Sequence, residues 1–264
     1  MMARVLITET IADGGIERLR EAGHIVDVKL GLSEDALLSE IKSADAVIIR
    51  SATTISKEVI ENGENLIVIG RAGIGLDNVD VSAATEQGIM VVNAPKSNIL
   101  SAAEHTIALM LAQARNIPQA NSALKSGRWE RNEWTGVELS DKTLGIIGLG
   151  RIGKLVAQRA LSFGMKLVAY DPFVAIERAR QLSVELLPLK ELVEVSDFIT
   201  VHVAKTPETH DLINAEMLAH AKPDLRVINV ARGGIVNETD VAEAIKSGKI
   251  AGAAIDVFEN EPAV

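Results

Sequence analysis

A glycine-rich segment in the middle of the chain has residue types and a spacing that suit a phosphate-binding turn. Residues 142–172 read KTLGIIGLGRIGKLVAQRALSFGMKLVAYDP. An apolar run leads into Gly148, Gly150 and Gly153, a helical pattern follows, and a second apolar run ends at Asp171. In such a β-α-β unit the first glycine permits a tight turn. The second lets backbone amides approach a pyrophosphate, and the third lets the helix pack on the strand.

The acidic residue that ends this unit indicates which dinucleotide is bound. Asp171 lies roughly twenty positions beyond Gly148, where a carboxylate accepts hydrogen bonds from the adenosine ribose hydroxyls. A carboxylate repels a 2′-phosphate, and Pro172 and Phe173 provide no arginine to receive one. NAD is therefore predicted in preference to NADP. A ligand-free turn is the alternative, but strand, glycines, helix, strand and acid all occur in the expected order.

Alternating strand and helix patterns surround this unit on both sides. Strands are predicted over residues 3–8, 24–30, 46–50, 66–71 and 90–94, with helical patterns between them. Beyond Asp171 the alternation resumes and ends with a strand over residues 250–258. Interleaved strands and helices predict an α/β fold of two doubly wound, mostly parallel sheets, the second with about six strands.

Two predicted strands of the first sheet end in arginine. Arg50 is followed by Ser51, and Arg71 is followed by a turn that contains Gly73. Because parallel strands end at one edge of a sheet, the two guanidinium groups are expected to converge on an anionic substrate. The alternative is that each arginine is an ordinary surface charge.

Composition excludes several classes of function. The formal charge of −9 comes without a clustered basic face, so no nucleic-acid partner is expected. No apolar run approaches ~18 residues and no signal peptide begins the chain, so neither membrane insertion nor export is expected and the protein is predicted to be cytoplasmic. The chain has no cysteine, and its five histidines lack metal-ligand spacing, so no metal is expected.

A long helix over residues 98–117 is predicted to connect the two domains. Its apolar positions are Ile99, Ala102, Ala103, Ile107 and Leu111. His105 lies within it and is expected to be a buried, hydrogen-bonded structural histidine rather than a catalytic one.

Taken in order, the motifs resemble the D-isomer-specific 2-hydroxyacid dehydrogenase family. They are RSATTIS, GRAGIGLDNVD, SAAEHTIALML, GRWER, GIIGLGRIGK, YDP, FITVH, INVARGGIVNE and AGAAIDVFENEP. The first, second and fourth resemble the branch that acts on 3-phosphoglycerate. The resemblance implies a flavodoxin-like substrate-binding domain over residues 1–97 and an NAD-binding Rossmann domain over residues 98–264. It also implies hydride transfer between the substrate C2 and the nicotinamide C4.

The same resemblance assigns roles to individual residues. Arg232 corresponds to the arginine that grips the substrate carboxylate and carbonyl, a task for which its planar fork is suited. Glu261 corresponds to the carboxylate that hydrogen-bonds the family's catalytic histidine and raises its pKa. The other implied positions are Arg151 and Ile152 at the pyrophosphate, Asp171 at the ribose, Val230 and Ala231 beside the cofactor, Asp256 near the nicotinamide, and Arg50, Ser51, Gly73 and Ile74 in loops that face substrate and cofactor.

One expected residue does not occur in the sequence. The family's proton-transfer histidine lies downstream of FENEP, and this sequence stops before that point. His202, at the carboxyl end of FITVHV, is the nearest substitute but is not expected to be catalytic. The resemblance thus implies a truncated core that lacks the helix returning to its first domain. Turnover is expected to be severely reduced, since general acid–base catalysis contributes ~10²- to 10⁴-fold.

The expected reaction is NAD-linked oxidation of 3-phosphoglycerate to 3-phosphohydroxypyruvate. The expected partners are this small phosphorylated 2-hydroxy acid and further copies of the chain, in a homodimer or homotetramer. Two alternatives remain open from the sequence. One is a glyoxylate or hydroxypyruvate reductase of the same family. The other is a catalytically silent, NAD-responsive binding module, which the missing histidine suggests and the retained Arg232 and Glu261 disfavour.

Overall fold

The computed structural model describes residues 2–263, and the chain divides into two compact units. The first unit extends to Asn98 and the second begins at Ile99. Met1 and Val264, the outermost residues of the two predicted domains, lie outside the described residues. Each unit contains its own sheet and its own hydrophobic core.

The first unit is a five-stranded parallel sheet with strand order β2-β1-β3-β4-β5. This order is the flavodoxin-like one, in which the switch point lies between β1 and β3. Its elements in chain order are β1 (Arg4–Ile7), α1 (Asp13–Glu21), β2 (Ile25–Val28), α2 (Glu34–Ile41), β3 (Ala46–Ile49), α3 (Lys57–Asn62), β4 (Val68–Arg71), α4 (Val81–Glu86) and β5 (Met90–Asn93).

The second unit is a six-stranded parallel sheet with strand order β11-β10-β9-β6-β7-β8. This is the Rossmann order, with its switch point between β6 and β9. The elements are α5 (Ile99–Ala114), α6 (Ile117–Lys125), β6 (Thr143–Ile147), α7 (Arg151–Ser162), β7 (Lys166–Tyr170), α8 (Ile176–Arg180), β8 (Val184–Leu186), α9 (Leu189–Val195), β9 (Phe198–Val201), α10 (Ala215–Leu218), β10 (Arg226–Asn229), α11 (Glu238–Lys246) and β11 (Gly252–Ile255). The predicted fold class, two doubly wound parallel sheets, is confirmed.

Short polar side chains define where several helices begin. At the starts of α2, α3 and α4, the side chains of Ser33, Ser56 and Asp80 each accept a hydrogen bond from the backbone amide three residues onward. Asn237 does the same for α11. Such caps satisfy amides that have no partner within the helix, and each stabilises the fold by about 1 kcal/mol.

The buried face of α5 differs in part from the one predicted. Its buried residues are Ala103, Thr106, Ile107, Met110 and Ala114. Ile99 and Leu111 are only partly buried, and a threonine lies in the buried stripe because its hydroxyl donates to the Ala102 carbonyl at 2.8 Å. A hydroxyl satisfied within its own helix is tolerated in a core that an apolar pattern alone would not assign to it.

Candidate functional site

The glycine-rich turn follows β6 and each of its glycines occupies a different environment. Gly148 has a φ of +92°, and a Cβ there would lie 2.6 Å from the His202 carbonyl oxygen of the neighbouring strand end. A Cβ on Gly153 would overlap the Gly148 carbonyl and lie 3.3 Å from Cγ2 of Ile146. A Cβ on Gly150 would have no atom within 4 Å. The first and third glycines therefore permit close packing, while the second leaves open space at the surface of the turn.

The helix behind this turn is long enough to act on a ligand. Helix α7 has twelve residues, Gly150 is its N-cap, and no side chain caps it. Arg151 and Ile152 form the start of its first turn. The amides of that turn lack helical partners and lie at the positive end of the helix dipole, which suits a pyrophosphate.

Asp171 lies directly beside the glycine turn. Its Oδ2 accepts from the Leu149 amide at 2.8 Å, and its Oδ1 accepts from the Phe173 amide at 2.9 Å. A carboxylate has about four acceptor positions, so each oxygen retains capacity for a ribose hydroxyl. With the open space at Gly150 and the amides of α7, these residues fit the adenosine and pyrophosphate of NAD.

A second group of predicted residues follows β10 and β11 at the same edge of this sheet. The buried Asn229 organises it: Nδ2 donates to the Arg232 carbonyl at 2.8 Å, and Oδ1 accepts from the Ala231 amide at 3.0 Å. The Asp256 amide donates to the Asn229 carbonyl at 2.9 Å. Val230, Ala231 and Arg232 are thus held in one loop beside Asp256. Asn229 was not predicted, although a polar residue inside the apolar run RVINVA was a usable signal.

The loop after Arg232 packs against the last residues that the structure describes. A Cβ on Gly233 would overlap the Phe258 carbonyl group, and Gly234 has a φ of +75°. The Glu261 side chain contacts its own segment, because its Oε1 accepts a hydrogen bond from the Phe258 amide at 2.9 Å. Only glycine at position 233 lets the Arg232 loop approach the segment that carries Glu261 this closely.

A histidine and two acids that were not predicted support the same segment. His210 Nε2 lies 3.0 Å from Glu259 Oε1, and His210 Nδ1 lies 3.2 Å from Asp211 Oδ2. The hydrogen bond with His210 lowers the pKa of Glu259 below its usual value. His210 and Glu259 are 49 residues apart, so nothing in the local sequence indicates the pair.

The expectation that His105 is buried is wrong. About half of its side chain is exposed, and Nε2 lies 3.1 Å from Oδ1 of Asp256. Its position on α5 follows the predicted helix, but the helix presents it at the edge of the apolar face, where it reaches the carboxylate beyond β11. This distance is that of an ion pair, and Asp256 is one of the predicted cofactor residues.

The predicted substrate residues belong to the first unit. Arg50 follows β3, Arg71 ends β4, and these strands are neighbours in the sheet. A Cβ on Gly73 would overlap Nη1 of Arg71, so the missing side chain at position 73 provides the space for that guanidinium group. Ser51 is exposed beside Arg50. Ile74, predicted to contact the cofactor, is also in this unit, and its carbonyl accepts from Asn93 Nδ2 at 2.6 Å.

Residues 2–263 contain neither a cluster of metal ligands nor a membrane-spanning helix. No three or more His, Asp or Glu side chains there are placed to hold a metal ion. None of the helices in that range has the length and apolarity that crossing a bilayer requires.

Comparison with known proteins agrees with this geometry. Residues 107–264 match the family model described as "D-isomer specific 2-hydroxyacid dehydrogenase, NAD binding domain". The chain belongs to the D-isomer-specific 2-hydroxyacid dehydrogenase family. Its second unit is accordingly an NAD-binding domain, and the predicted cofactor is confirmed at the level of this family.

Individual members of the dehydrogenase family match along nearly all of the chain. A D-3-phosphoglycerate dehydrogenase of Synechocystis sp. is 50% identical over 261 residues, which are 99% of this chain and 47% of that protein. The chain therefore spans about half the length of the curated relatives it matches. Among solved structures, the TT0316 protein from Thermus thermophilus has a TM-score of 0.91 and 36% identity, covering 99% of this chain and 84% of that one. D-Lactate dehydrogenase from Aquifex aeolicus, complexed with NAD and lactic acid, has a TM-score of 0.88 and 29% identity over 98% and 78% of the two chains.

Proposed function

We propose that this chain is the core of a D-3-phosphoglycerate dehydrogenase, which oxidises D-3-phosphoglycerate to 3-phosphohydroxypyruvate with NAD, the first step of serine synthesis. The observation that carries the proposal is 50% identity, over 99% of the chain, with a relative of that name. The family resemblance of RSATTIS, GRAGIGLDNVD and GRWER favours the same branch.

In this proposal the two units bind different molecules. The second unit would hold NAD through Gly148, Gly150 and Gly153, the α7 amides and Asp171, and NAD bound there would supply the hydride acceptor. The first unit contacts the substrate. Arg50 and Arg71, at the ends of neighbouring strands, supply positive charge for the phosphate group.

Arg232 and Glu261 have the proposed catalytic roles. The guanidinium of Arg232 binds the substrate carboxylate and the oxygen at C2, and it stabilises the partial negative charge that this oxygen carries in the transition state of hydride transfer. Glu261 has the role of the family carboxylate that hydrogen-bonds the proton-transfer histidine and raises its pKa. Their support is the Asn229 network that fixes the Arg232 loop and the close approach of Gly233 to the Glu261 segment.

The test is steady-state reduction of 3-phosphohydroxypyruvate, hydroxypyruvate and glyoxylate with NADH. We expect the phosphorylated keto acid to have the highest kcat/KM. Arg50→Ala and Arg71→Ala should each raise KM for that substrate about ten- to hundredfold, the usual effect of losing a charged hydrogen bond, and leave hydroxypyruvate nearly unaffected. Arg20→Ala, an exposed arginine of the same unit, is the control.

Other outcomes of this assay would exclude the proposal. Equal or better use of glyoxylate or hydroxypyruvate, with no selective effect of the two arginine variants, would favour a reductase of the same family. NADH fluorescence that none of the three keto acids changes, whether by binding or by turnover, would favour the NAD-responsive binding module.

We also propose that the protein is a homodimer or homotetramer. Trp129 is 81% exposed and Leu124 is 60% exposed on the second unit, and an exposed apolar surface of this kind is typical of a subunit contact. Light scattering coupled to size-exclusion chromatography measures the assembled mass, and a monomer at micromolar concentration would exclude this part of the proposal.

A further inference from the structure

An exposed loop in the first unit is fixed by a carboxylate from the neighbouring strand. Residues 50–53 follow β3 and include Arg50 and Ser51, and most of them face solvent. Glu9 Oε1 accepts from the amides of Arg50 at 2.8 Å and Thr53 at 3.0 Å. Its Oε2 accepts from the Ala52 amide at 3.1 Å. One side chain therefore satisfies three amides of a four-residue loop.

Two carbonyl groups of the same loop are held by the side chain of Asn78. Asn78 Nδ2 lies 2.8 Å from the Arg50 carbonyl and 2.5 Å from the Thr53 carbonyl. The hydroxyl groups of Thr8 and Thr53 lie 2.9 Å apart. Since Glu9 and Asn78 belong to different connections of the sheet, the loop is held between two fixed points. An exposed loop of this kind would otherwise sample many conformations.

Arg50 also forms hydrogen bonds with Glu9 and Thr10, which follow β1. Its amide donates to Glu9, and its Nη1 donates to the carbonyl of Thr10 at 3.4 Å. Strands β1 and β3 flank the switch point of this sheet, where ligands bind in doubly wound folds. The contact between Glu9 and the loop thus lies where a substrate is expected.

The charge of Glu9 suits this contact. Partial burial raises the pKa of Glu9, but hydrogen bonds from the Arg50, Ala52 and Thr53 amides and from the Thr53 hydroxyl outweigh it, so the pKa lies below its usual value. Hydrogen bonds to an ionised acceptor are shorter and stronger than neutral ones. The three amides form an anion site that the protein fills with its own carboxylate.

We propose that Glu9 is a positioning residue, whose carboxylate fixes the 50–53 loop so that Arg50 and Ser51 are presented in one conformation to the phosphorylated substrate. The role of Arg50 in this statement rests on the proposed function, whereas the fixing of the loop does not. Without the carboxylate, the three amides form hydrogen bonds with water instead and the loop becomes mobile. Substrate binding then has to order the loop, which weakens binding more than it slows the chemical step.

Hydrogen exchange of the loop amides measures this role without any assay of activity. In Glu9→Ala, a peptide covering residues 50–53 should exchange roughly tenfold faster or more than in the wild type. Glu9→Gln keeps one oxygen for two of the amides and should give an intermediate rate. Glu64→Ala, at an exposed glutamate of the same unit, is the matched control and should not change the rate.

A small carboxylate provides a second and more specific readout. Acetate added to Glu9→Ala should enter the vacated three-amide site and slow the exchange of residues 50–53 again. Sodium chloride at the same ionic strength should not. A purely structural defect in Glu9→Ala would not be reversed by acetate, so this comparison separates anion-specific positioning from general destabilisation.

Kinetics then connect the loop to substrate binding. In Glu9→Ala, KM for 3-phosphohydroxypyruvate should rise about tenfold, kcat should stay within about twofold, and NADH affinity should not change. Unchanged exchange of residues 50–53 in Glu9→Ala would overturn the proposal, as would exchange that acetate does not slow. If the wild-type protein neither bound nor reduced 3-phosphohydroxypyruvate while the exchange results held, the proposed function would fail and the fixing of the loop by Glu9 would stand.

Discussion

At the scale of single residues, carboxylates act as backbone anchors in both units. Glu9 follows β1 and accepts from the loop after β3, and Asp171 follows β7 and accepts from the turn after β6. Each carboxylate therefore holds the loop of an adjacent strand at the edge where ligands bind. Removing Asp171 is expected to loosen the glycine turn as well as to remove the proposed ribose contact.

Burial determines the charge state of the His202 ring. It follows β9, its Nε2 lies 3.0 Å from the hydroxyl of the buried Thr200, and burial lowers its pKa from 6.5 to about 4. The ring is neutral at pH 7. Between pH 6.5 and 4 the unfolded chain binds a proton that the folded chain does not, so the stability of the fold decreases as the pH falls through this window.

We therefore expect His202→Gln to lose less stability than the wild type between pH 7 and pH 4.5. Glutamine can keep the hydrogen bond to Thr200 and does not titrate. The difference should be on the order of 2 kcal/mol in the free energy of unfolding. Urea unfolding at the two pH values measures it, and His220→Gln, at a histidine outside the core, is the control. Identical pH dependence in wild type and His202→Gln would contradict the pKa assignment.

At the scale of elements, the turns after parallel strands position the side chains predicted to be functional, and glycines determine how closely those turns pack. The turn after β4 is an example, because Gly73 leaves room for the guanidinium of Arg71. Gly70, within β4, has only ordinary contacts: a Cβ there would lie 3.5 Å from Cγ1 of Ile48. The two glycines lie in one short segment but have different functions.

Gly73→Ala should thus displace Arg71 without unfolding the protein, since the end of a long side chain moves at little cost. We expect KM for 3-phosphohydroxypyruvate to approach that of Arg71→Ala, about tenfold or more above wild type, with little change in thermal stability. The double variant should be no worse than Arg71→Ala alone, because both changes act on one contact. Gly70→Ala should resemble the wild type. Additive effects in the double variant would show that Gly73 acts independently of Arg71.

At the scale of the whole molecule, each unit has its own sheet and core, and the two tryptophans lie in only one of them. Trp129 and Trp134 both belong to the second unit, where Nε1 of Trp134 donates to Glu130 at 3.1 Å. Tryptophan fluorescence therefore reports the unfolding of the NAD-binding unit, whereas far-ultraviolet circular dichroism reports both units.

We expect NADH to raise the unfolding midpoint measured by tryptophan fluorescence. A ligand at one hundred times its Kd stabilises the folded state by about 2.7 kcal/mol. The same experiment on Asp171→Ala should give a smaller shift, because the proposed ribose contact and an anchor of the glycine turn are both lost. Arg180→Ala, at an exposed residue of the same unit, is the control. An equal shift in Asp171→Ala and wild type would exclude Asp171 from the cofactor site.

Much of this molecule follows from the sequence alone, because the decisive signals are local. Strand and helix periodicity predicted the two doubly wound sheets, and the spacing from Gly148 to Asp171 predicted a dinucleotide unit; the structure and the family comparison confirm both. Arg50 and Arg71 could be placed at one sheet edge because parallel strands end together. The roles of Arg232 and Glu261 came from family motifs and remain predictions.

Tertiary structure alone decided which side chains meet across the strand ends. Glu9 and Arg50 are 41 residues apart, and His210 and Glu259 are 49 residues apart. Those contacts depend on strand order and on the path of each connection, and neither appears in a window of local sequence. His105 was predicted to be buried because it lies in an apolar helix, yet the packing of α5 left half of it exposed beside Asp256. Local sequence sets the period of an element, whereas the rotation of that element against its neighbours is set only when the whole core packs.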